Sequence, residues 1–331
     1  MKIYLDAMGG DTAPLSPLEG AAMAVKEFGV EMVLVGDKAQ IEALAAEHQI
    51  PLDGITILHT DDVISMEDQP TEITRSKKNC SMAVGLKALA EGEGDAFVSA
   101  GNSGALLVGA TMITKRIKGI KRAAMAPVLP TATGQVILLD GGANTECRAD
   151  MLEQFGIMGS IFMEKVMGVA NPRVGLINNG TEECKGRDLE RETHQLLSRA
   201  DVNFIGNVES RDLPMGVCDV MVTDGFTGNI VLKLFEGLGK FFAGKMKAML
   251  AGASEAEAAA MKQKMSGFKD AFNYHKIGGA VLMGISRPVI KAHGSSNGEA
   301  FFNAIRVAKQ CVEGKVCETI AAAVAERAEE A

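Results

Sequence analysis

Positive charge is scarce in this 331-residue chain: 34 Lys and Arg stand against 42 Asp and Glu, a net charge of −8. A duplex phosphate backbone would be repelled except at a local basic patch, so broad nucleic-acid binding is excluded. Tryptophan is absent and only two tyrosines occur, Tyr4 and Tyr274. The six cysteines (Cys80, Cys147, Cys184, Cys218, Cys311 and Cys317) form no Cys-x-x-Cys pair and no zinc-type Cys/His set. They read as reduced thiols, most of them buried or unremarkable. Met1-Lys2-Ile3-Tyr4-Leu5-Asp6 has no apolar run before its first acid, so no signal peptide is expected and the expected location is the cytoplasm. Ala96–Thr114 is free of charge and long enough to span a bilayer, but Ser99–Gly104 would break and hydrate a helix at its centre. No transmembrane span is expected.

Several catalytic signatures are missing as well. Gly-x-x-x-x-Gly-Lys-Ser/Thr is absent, which argues against a P-loop kinase or ATPase. Gly92-Glu93-Gly94 and Gly237-Leu238-Gly239 lack the third glycine of a dinucleotide fingerprint. His-Glu-x-x-His does not occur. Gly294-Ser295-Ser296-Asn297-Gly298 fits a nucleophile elbow, but none of the five histidines (48, 59, 194, 275, 293) follows Ser296, so a Ser-His hydrolase is rejected. No metal ligand set and no cofactor are expected.

Short β-like runs alternate with longer helical ones. Strands are expected at Lys2–Asp6, Glu31–Val35, Asp95–Ser99, Gln135–Asp140, Arg173–Asn178, Val202–Ile205 and Val220–Thr223. Helices are expected near 17–28, 37–49, 81–91, 105–113, 151–167, 187–198, 228–250, 298–312 and 316–329. This order predicts an α/β fold, three-layer, with a mainly parallel sheet and helices on both faces. No linker or repeat interrupts it, so residues 1–331 are expected to form one compact unit.

Glycine is abundant, at 37 residues, and it gathers after the strands. Four expected strands run into Ala100-Gly101-Asn102-Ser103-Gly104, Gly141-Gly142-Ala143-Asn144, Asn179-Gly180-Thr181 through Lys185-Gly186, and Asp224-Gly225-Phe226-Thr227-Gly228-Asn229. Glycine lets backbone approach a ligand, and Asn, Ser and Thr supply neutral donors. Helix starts add free N–H groups and partial positive charge. The pattern describes a site for phosphate or a developing oxyanion.

Residues 233–276 depart from the acidic average, with eight lysines and four acids among Met and Phe residues. They read as a basic amphipathic helical hairpin. Three uses stay open: a dimer or core element, docking of an acidic carrier protein on Lys262, Lys264 and Lys269, or contact with an anionic membrane.

Taken in order, Asp6-Ala7-Met8-Gly9-Gly10-Asp11, Gly101-Asn102-Ser103-Gly104-Ala105, Asp140-Gly141-Gly142-Ala143-Asn144, Asn178 through Gly186, Thr223 through Asn229, and His293-Gly294-Ser295-Ser296 resemble the bacterial phosphate acyltransferase (PlsX) family over about residues 1–320. Ser103 stands where many relatives have Thr, which keeps the hydroxyl. The resemblance implies transfer of a long-chain fatty acyl group from acyl-[acyl carrier protein] to inorganic phosphate. The acyl phosphate would then feed a membrane glycerol-3-phosphate acyltransferase in phospholipid synthesis. It also implies a fold like isocitrate/isopropylmalate dehydrogenase and phosphotransacetylase, and a homodimer. On this basis Lys185, Asn229 and His293 are the candidate catalytic residues. Gly101, Asn102, Ser103, Gly104, Asn144, Asn179, Gly180 and Gly228 are the candidate phosphate and substrate cradle. Two rivals remain. A metal- and NAD(P)-dependent decarboxylating dehydrogenase uses several Asp around a metal and often a Tyr–Lys pair, and neither tyrosine lies in a polar loop. A short-chain phosphotransacetylase would differ in acyl donor.

Overall fold

The computed structural model describes residues 1–251 and 278–330. The alternation of side chains along each strand decides which layer it builds. In β1 (Lys2–Asp6), Ile3 and Leu5 pack with α1 (Leu15–Phe28) on one face. Tyr4, between them, packs on the other face with Met82 and Leu86 of α3 (Ser81–Ala90). Around β1 lie β2 (Glu31–Gly36), β3 (Ile55–His59) and β4 (Ala96–Ser99), with α2 (Lys38–Glu47) between β2 and β3 in the chain. The sheet continues through β12 (Val289–Lys291), β11 (Ala280–Met283) and β5 (Ala124–Ala126), in the order β3-β2-β1-β4-β12-β11-β5. The first five strands are parallel; β11 runs antiparallel to both its neighbours.

A second sheet has the order β6-β7-β10-β8-β9, built from β6 (Val128–Thr131), β7 (Gly134–Leu139), β8 (Arg173–Asn178), β9 (Asn203–Glu209) and β10 (Val220–Val222). All but β6 are parallel. Phe155 and Phe162 of α5 (Ala149–Lys165) pack on one face, and Val231, Leu232 and Phe235 of α7 (Gly225–Ala251) on the other. Helix α6 (Asp188–Leu197) follows β8.

Pro127 joins the sheets, because β5 and β6 are one extended segment on either side of it. The Leu138 amide donates to the Pro127 carbonyl at 2.9 Å, and the Gly141 amide to that of Met125 at 2.7 Å. One apolar core runs beneath both sheets and includes Leu5, Ile290, Leu139 and Val222. Helix α4 (Ser103–Gly109) leads into a π turn at Ala110–Thr114, and α8 (Gly298–Glu313) and α9 (Val316–Glu330) close the chain.

The sequence reading omits β3, β5, β6, β11 and β12. Four of these have only three or four residues, too few to show a period, and β3 is an edge strand with an exposed face. Of the expected hairpin at 233–276, the part to Ala251 belongs to α7; the rest, with Lys262, Lys264 and Lys269, lies outside the described residues. Among the described residues no helix is long and apolar enough to cross a membrane.

Candidate active site

Three parallel strands of the first sheet end side by side in polar residues: Asp6, Ser99 and Lys291. The Ser99 hydroxyl donates to Asp6 Oδ2 at 2.7 Å, and the Ser81 hydroxyl, at the start of α3, to Asp6 Oδ1 at 2.7 Å. Burial pushes the Asp6 carboxyl above its usual value; those two hydroxyls and the Met8 amide oppose the shift. Lys291 is also buried, and its Nζ donates to the carbonyls of Ala100 (3.1 Å) and Ala292 (2.5 Å). Burial pulls its ammonium down to about 8, against the charges of Asp6 and Asp11.

Beyond Ser99 the chain turns into α4. Asn102 caps that helix, its Oδ1 accepting from the Ala105 amide at 3.1 Å. Its Nδ2 donates to the carbonyls of Ser65 (3.1 Å) and Asp68 (3.3 Å), so the side chain clamps a neighbouring loop. The amides of Ser103 and Gly104 fall in the first helical turn, where no intrahelical acceptor exists. Beyond Lys291, His293 Nδ1 accepts from the Ser295 amide at 3.2 Å and lies 2.8 Å from the Ser295 hydroxyl. An N–H can only donate, so a neutral His293 ring carries its proton on Nε2.

In the second sheet, Asp140 follows β7 and is fully buried. Its Oδ1 accepts from the amides of Met125, Gly142 and Ala143 at 2.9, 3.1 and 3.0 Å. Its Oδ2 accepts from the Asn144 amide and side chain at 2.7 and 2.8 Å. Burial raises this carboxyl, against the bonds that hold it. Asp224 follows β10 and caps α7, accepting from the Thr227 amide at 2.9 Å. The two loops touch: the Gly225 amide donates to the Asn144 carbonyl at 2.7 Å, and a Cβ on Gly228 would fall 1.8 Å from the Asp140 carbonyl oxygen. Gly142, at φ +135°, lies under Asn229, where a Cβ would come within 2.7 Å of Asn229 Nδ2.

Lys185 is exposed on the loop after β8. Its amide donates to the Glu182 carbonyl at 3.0 Å, and its own carbonyl accepts from Asn178 Nδ2 at 3.2 Å. Gly180 lies beneath it, 3.0 Å from a built Cβ to Lys185 Cγ. Arg187 ties this loop to α7 by donating to Asp224 Oδ2 at 2.9 Å, and it also holds Glu190. Burial alone would raise the Glu190 carboxyl, but Arg187 outweighs it and holds the group below its usual value.

The expected residues therefore fall into two sets. Gly101, Asn102, Ser103, Gly104 and His293 border the first sheet. Asn144, Asn179, Gly180, Lys185, Gly228 and Asn229 border the second. From Lys291 the ladder passes through Ala280 on β11 to the Pro127 junction, two strand spacings or about 10 Å away. Gly141 packs directly on Pro127, which sets the Asp140–Asn144 loop at the join between the sheets. The side chains of Asn102 and Asn144 are occupied in holding loops; Asn144 Nδ2 also donates to the Ala123 carbonyl at 2.7 Å. Sequence reading missed Lys291 and Arg187. A lysine inside the apolar run Val289-Ile290-Lys291-Ala292 was the available signal for the first. Burial pushes the thiols of Cys80 and Cys147 up to about 11, and that of Cys218 to about 12, which disfavours their thiolates. Among the described residues no group of three or more His, Cys, Asp or Glu side chains converges as a metal would require.

Solved structures share this architecture. A phosphotransacetylase from Streptococcus pyogenes aligns with a TM-score of 0.65 over 96% of this chain and 94% of its own, at 16% identity. The EutD phosphotransacetylase from Staphylococcus aureus gives 0.63 over 94% of each chain, at 17% identity. These show the fold, an α/β architecture of the phosphotransacetylase type. The family model described as "Fatty acid synthesis protein" matches residues 1–319. A phosphate acyltransferase of Bacillus licheniformis is 46% identical over the whole of both chains. One from Listeria monocytogenes is 45% identical over 98% of this chain and 96% of its own. With kinship of this strength from end to end, the chain belongs to the phosphate acyltransferase family.

Proposed function

We propose that the protein transfers a long-chain fatty acyl group from acyl-[acyl carrier protein] to inorganic phosphate. The observation that carries this reading is the end-to-end identity of about 45% to phosphate acyltransferases. Glycine-rich loops with neutral donors at the join between the sheets support it. A hydrogen-phosphate oxygen attacks the thioester carbonyl carbon. The C–O bond forms, the C–S pair leaves with sulfur, and the proton of hydrogen phosphate ends on the thiolate. The products are acyl phosphate and free carrier protein, and no covalent enzyme intermediate is needed.

In this reading the backbone amides of Ser103 and Gly104, with Asn179 and Gly180, receive phosphate, while Gly101, Asn102, Asn144 and Gly228 hold the shape of the cradle. Holding two reactants in line contributes about 7–11 kcal/mol in the best cases. Lys185 neutralises phosphate or polarises the carbonyl, and Asn229 donates to the oxyanion, a role worth about 3–4 kcal/mol per donor. His293 Nε2–H donates to phosphate or to the departing sulfur. The acyl phosphate feeds glycerolipid synthesis at a membrane glycerol-3-phosphate acyltransferase. The protein works as a cytoplasmic homodimer, and the lysine charges at 262, 264 and 269 attract the acidic carrier protein or an anionic membrane.

The test is thiol release from long-chain acyl-[acyl carrier protein], with and without phosphate, and with no nucleotide or metal added. Phosphate-dependent release with acyl phosphate as product is expected. Release equally fast without phosphate would indicate a hydrolase and end the reading. Acetyl donors run in parallel separate it from a short-chain phosphotransacetylase. In the same assay Lys185→Ala is expected to lower kcat/KM by 100-fold or more; wild-type kinetics would remove Lys185 from the mechanism.

A further inference from the structure

We propose that Lys291 is a positioning residue for the phosphate end of the site, its buried side chain tying the Ala100–Gly104 loop to the Ala292–Asn297 loop. The inference rests on the reading of acyl transfer to phosphate given above.

Strand β12 does not need an ammonium to hold it. Its ladder to β4 and the apolar side chains of Val289 and Ile290 already do so. Burying a cation is unfavourable unless its donors are satisfied. Its ammonium donates to the carbonyls of Ala100 and Ala292, at 3.1 and 2.5 Å, one from each loop. Both loops run into helix starts, at Ser103 and Gly298.

The consequence follows from peptide geometry, in which C=O and N–H of one trans unit point in opposite directions. The 100–101 peptide is held at both ends: its carbonyl by Lys291, and its Gly101 N–H by the Ser99 hydroxyl at 3.0 Å. That fixes the plane from which Ser103 and Gly104 depart. The 292–293 peptide has its carbonyl on the same ammonium, so Lys291 also sets the direction in which the chain enters His293. The carboxylates whose charges act on Lys291 are Asp6, on β1, and Asp11, in the loop after it. Asp6 holds Ser99, and the Asp11 amide donates to the Gly294 carbonyl at 2.8 Å. The lysine thus sits at the centre of a mesh that joins the cradle loop to the His293 loop.

The experiment compares wild type, Lys291→Met and the double variant Asp6→Asn/Lys291→Met in the thiol-release assay, varying phosphate and acyl donor separately. Thermal melts are followed by circular dichroism. Lys291→Met is expected to raise the KM for phosphate tenfold or more and to leave the KM for the acyl donor within twofold. The double variant removes both buried charges, Asp6 and Lys291, melts close to wild type and shows the same selective phosphate defect. Unchanged KM for phosphate in a folded variant, with only kcat reduced, overturns the proposal. Failure of both variants to fold also overturns it, because the ammonium then serves folding alone. Absence of phosphate-dependent release in wild type is the separate result that removes the reading beneath it.

Discussion

Lys291 and Asp6 are opposite charges taken out of water within one cluster, and each is displaced toward its neutral form. For Lys291 the sign of the pH effect follows. Its folded value of about 8 lies below its ordinary value of 10.5. Between the two, the unfolded chain holds the extra proton, so this residue's contribution to stability rises with pH. Wild type is therefore expected to gain stability relative to Lys291→Met as pH goes from about 8 to about 10, read as the difference in Tm across that range. A difference that stays flat would mean the ammonium is not desolvated. Other residues proposed for the site were picked out from loop composition and from the family resemblance. Gly101, Gly180 and Gly228 stood beside Asn and Ser after strand-like runs, and the structure places them where backbone comes close to its neighbours. Lys291 was not legible, because a single lysine acquires its meaning from the carbonyls that surround it.

At the scale of elements, the start of α7 depends on two glycines that let the helix press on the Asp140–Asn144 loop. Gly228→Ala forces a methyl group into the Asp140 carbonyl, at a built separation of 1.8 Å. Backbone offers no rotamer to move, so the helix start has to shift. A loss of about 3 kcal/mol is expected, at the upper end of overpacking costs. Denaturant unfolding checks it, and a loss below about 0.5 kcal/mol would show that the loop yields. The long helices and the buried strands β1, β8 and β10 were readable because each has a clear period or apolar run. Strands β5, β6, β11 and β12 were not. Each is three or four residues long, and partners far away in sequence make it a strand: β11 pairs with β5 about 155 positions earlier. These short pieces extend the first sheet to Pro127 and bring its edge to the second.

At the scale of the molecule, α7 carries an apolar face that neither sheet covers. Phe226, Ile230, Leu234, Leu238, Phe241 and Phe242 are all exposed, at spacings of three and four along one side of the helix. A contiguous apolar surface of this length marks an interaction site. Each large side chain removed from water contributes about 1.5–3 kcal/mol, so a few of them suffice to hold a partner. On the proposed homodimer, Leu234→Glu combined with Leu238→Glu is expected to yield a monomer by sedimentation or light scattering. An unchanged mass would assign the dimer contact to another surface.

The order of apolar runs, turn glycines and helical periods already determined an α/β chain with helices on both faces of mainly parallel strands, and the glycine-rich loops that follow several of those strands. Those are local properties, set by side-chain period and backbone freedom within a few residues. Tertiary structure decided the rest. It split the strands between two sheets joined at Pro127, set the Asp140–Asn144 loop against that join, and placed the Lys291 ammonium on carbonyls of two loops. Such relations depend on register between distant segments and on which charges lose their water together, and neither is written in any short stretch of sequence.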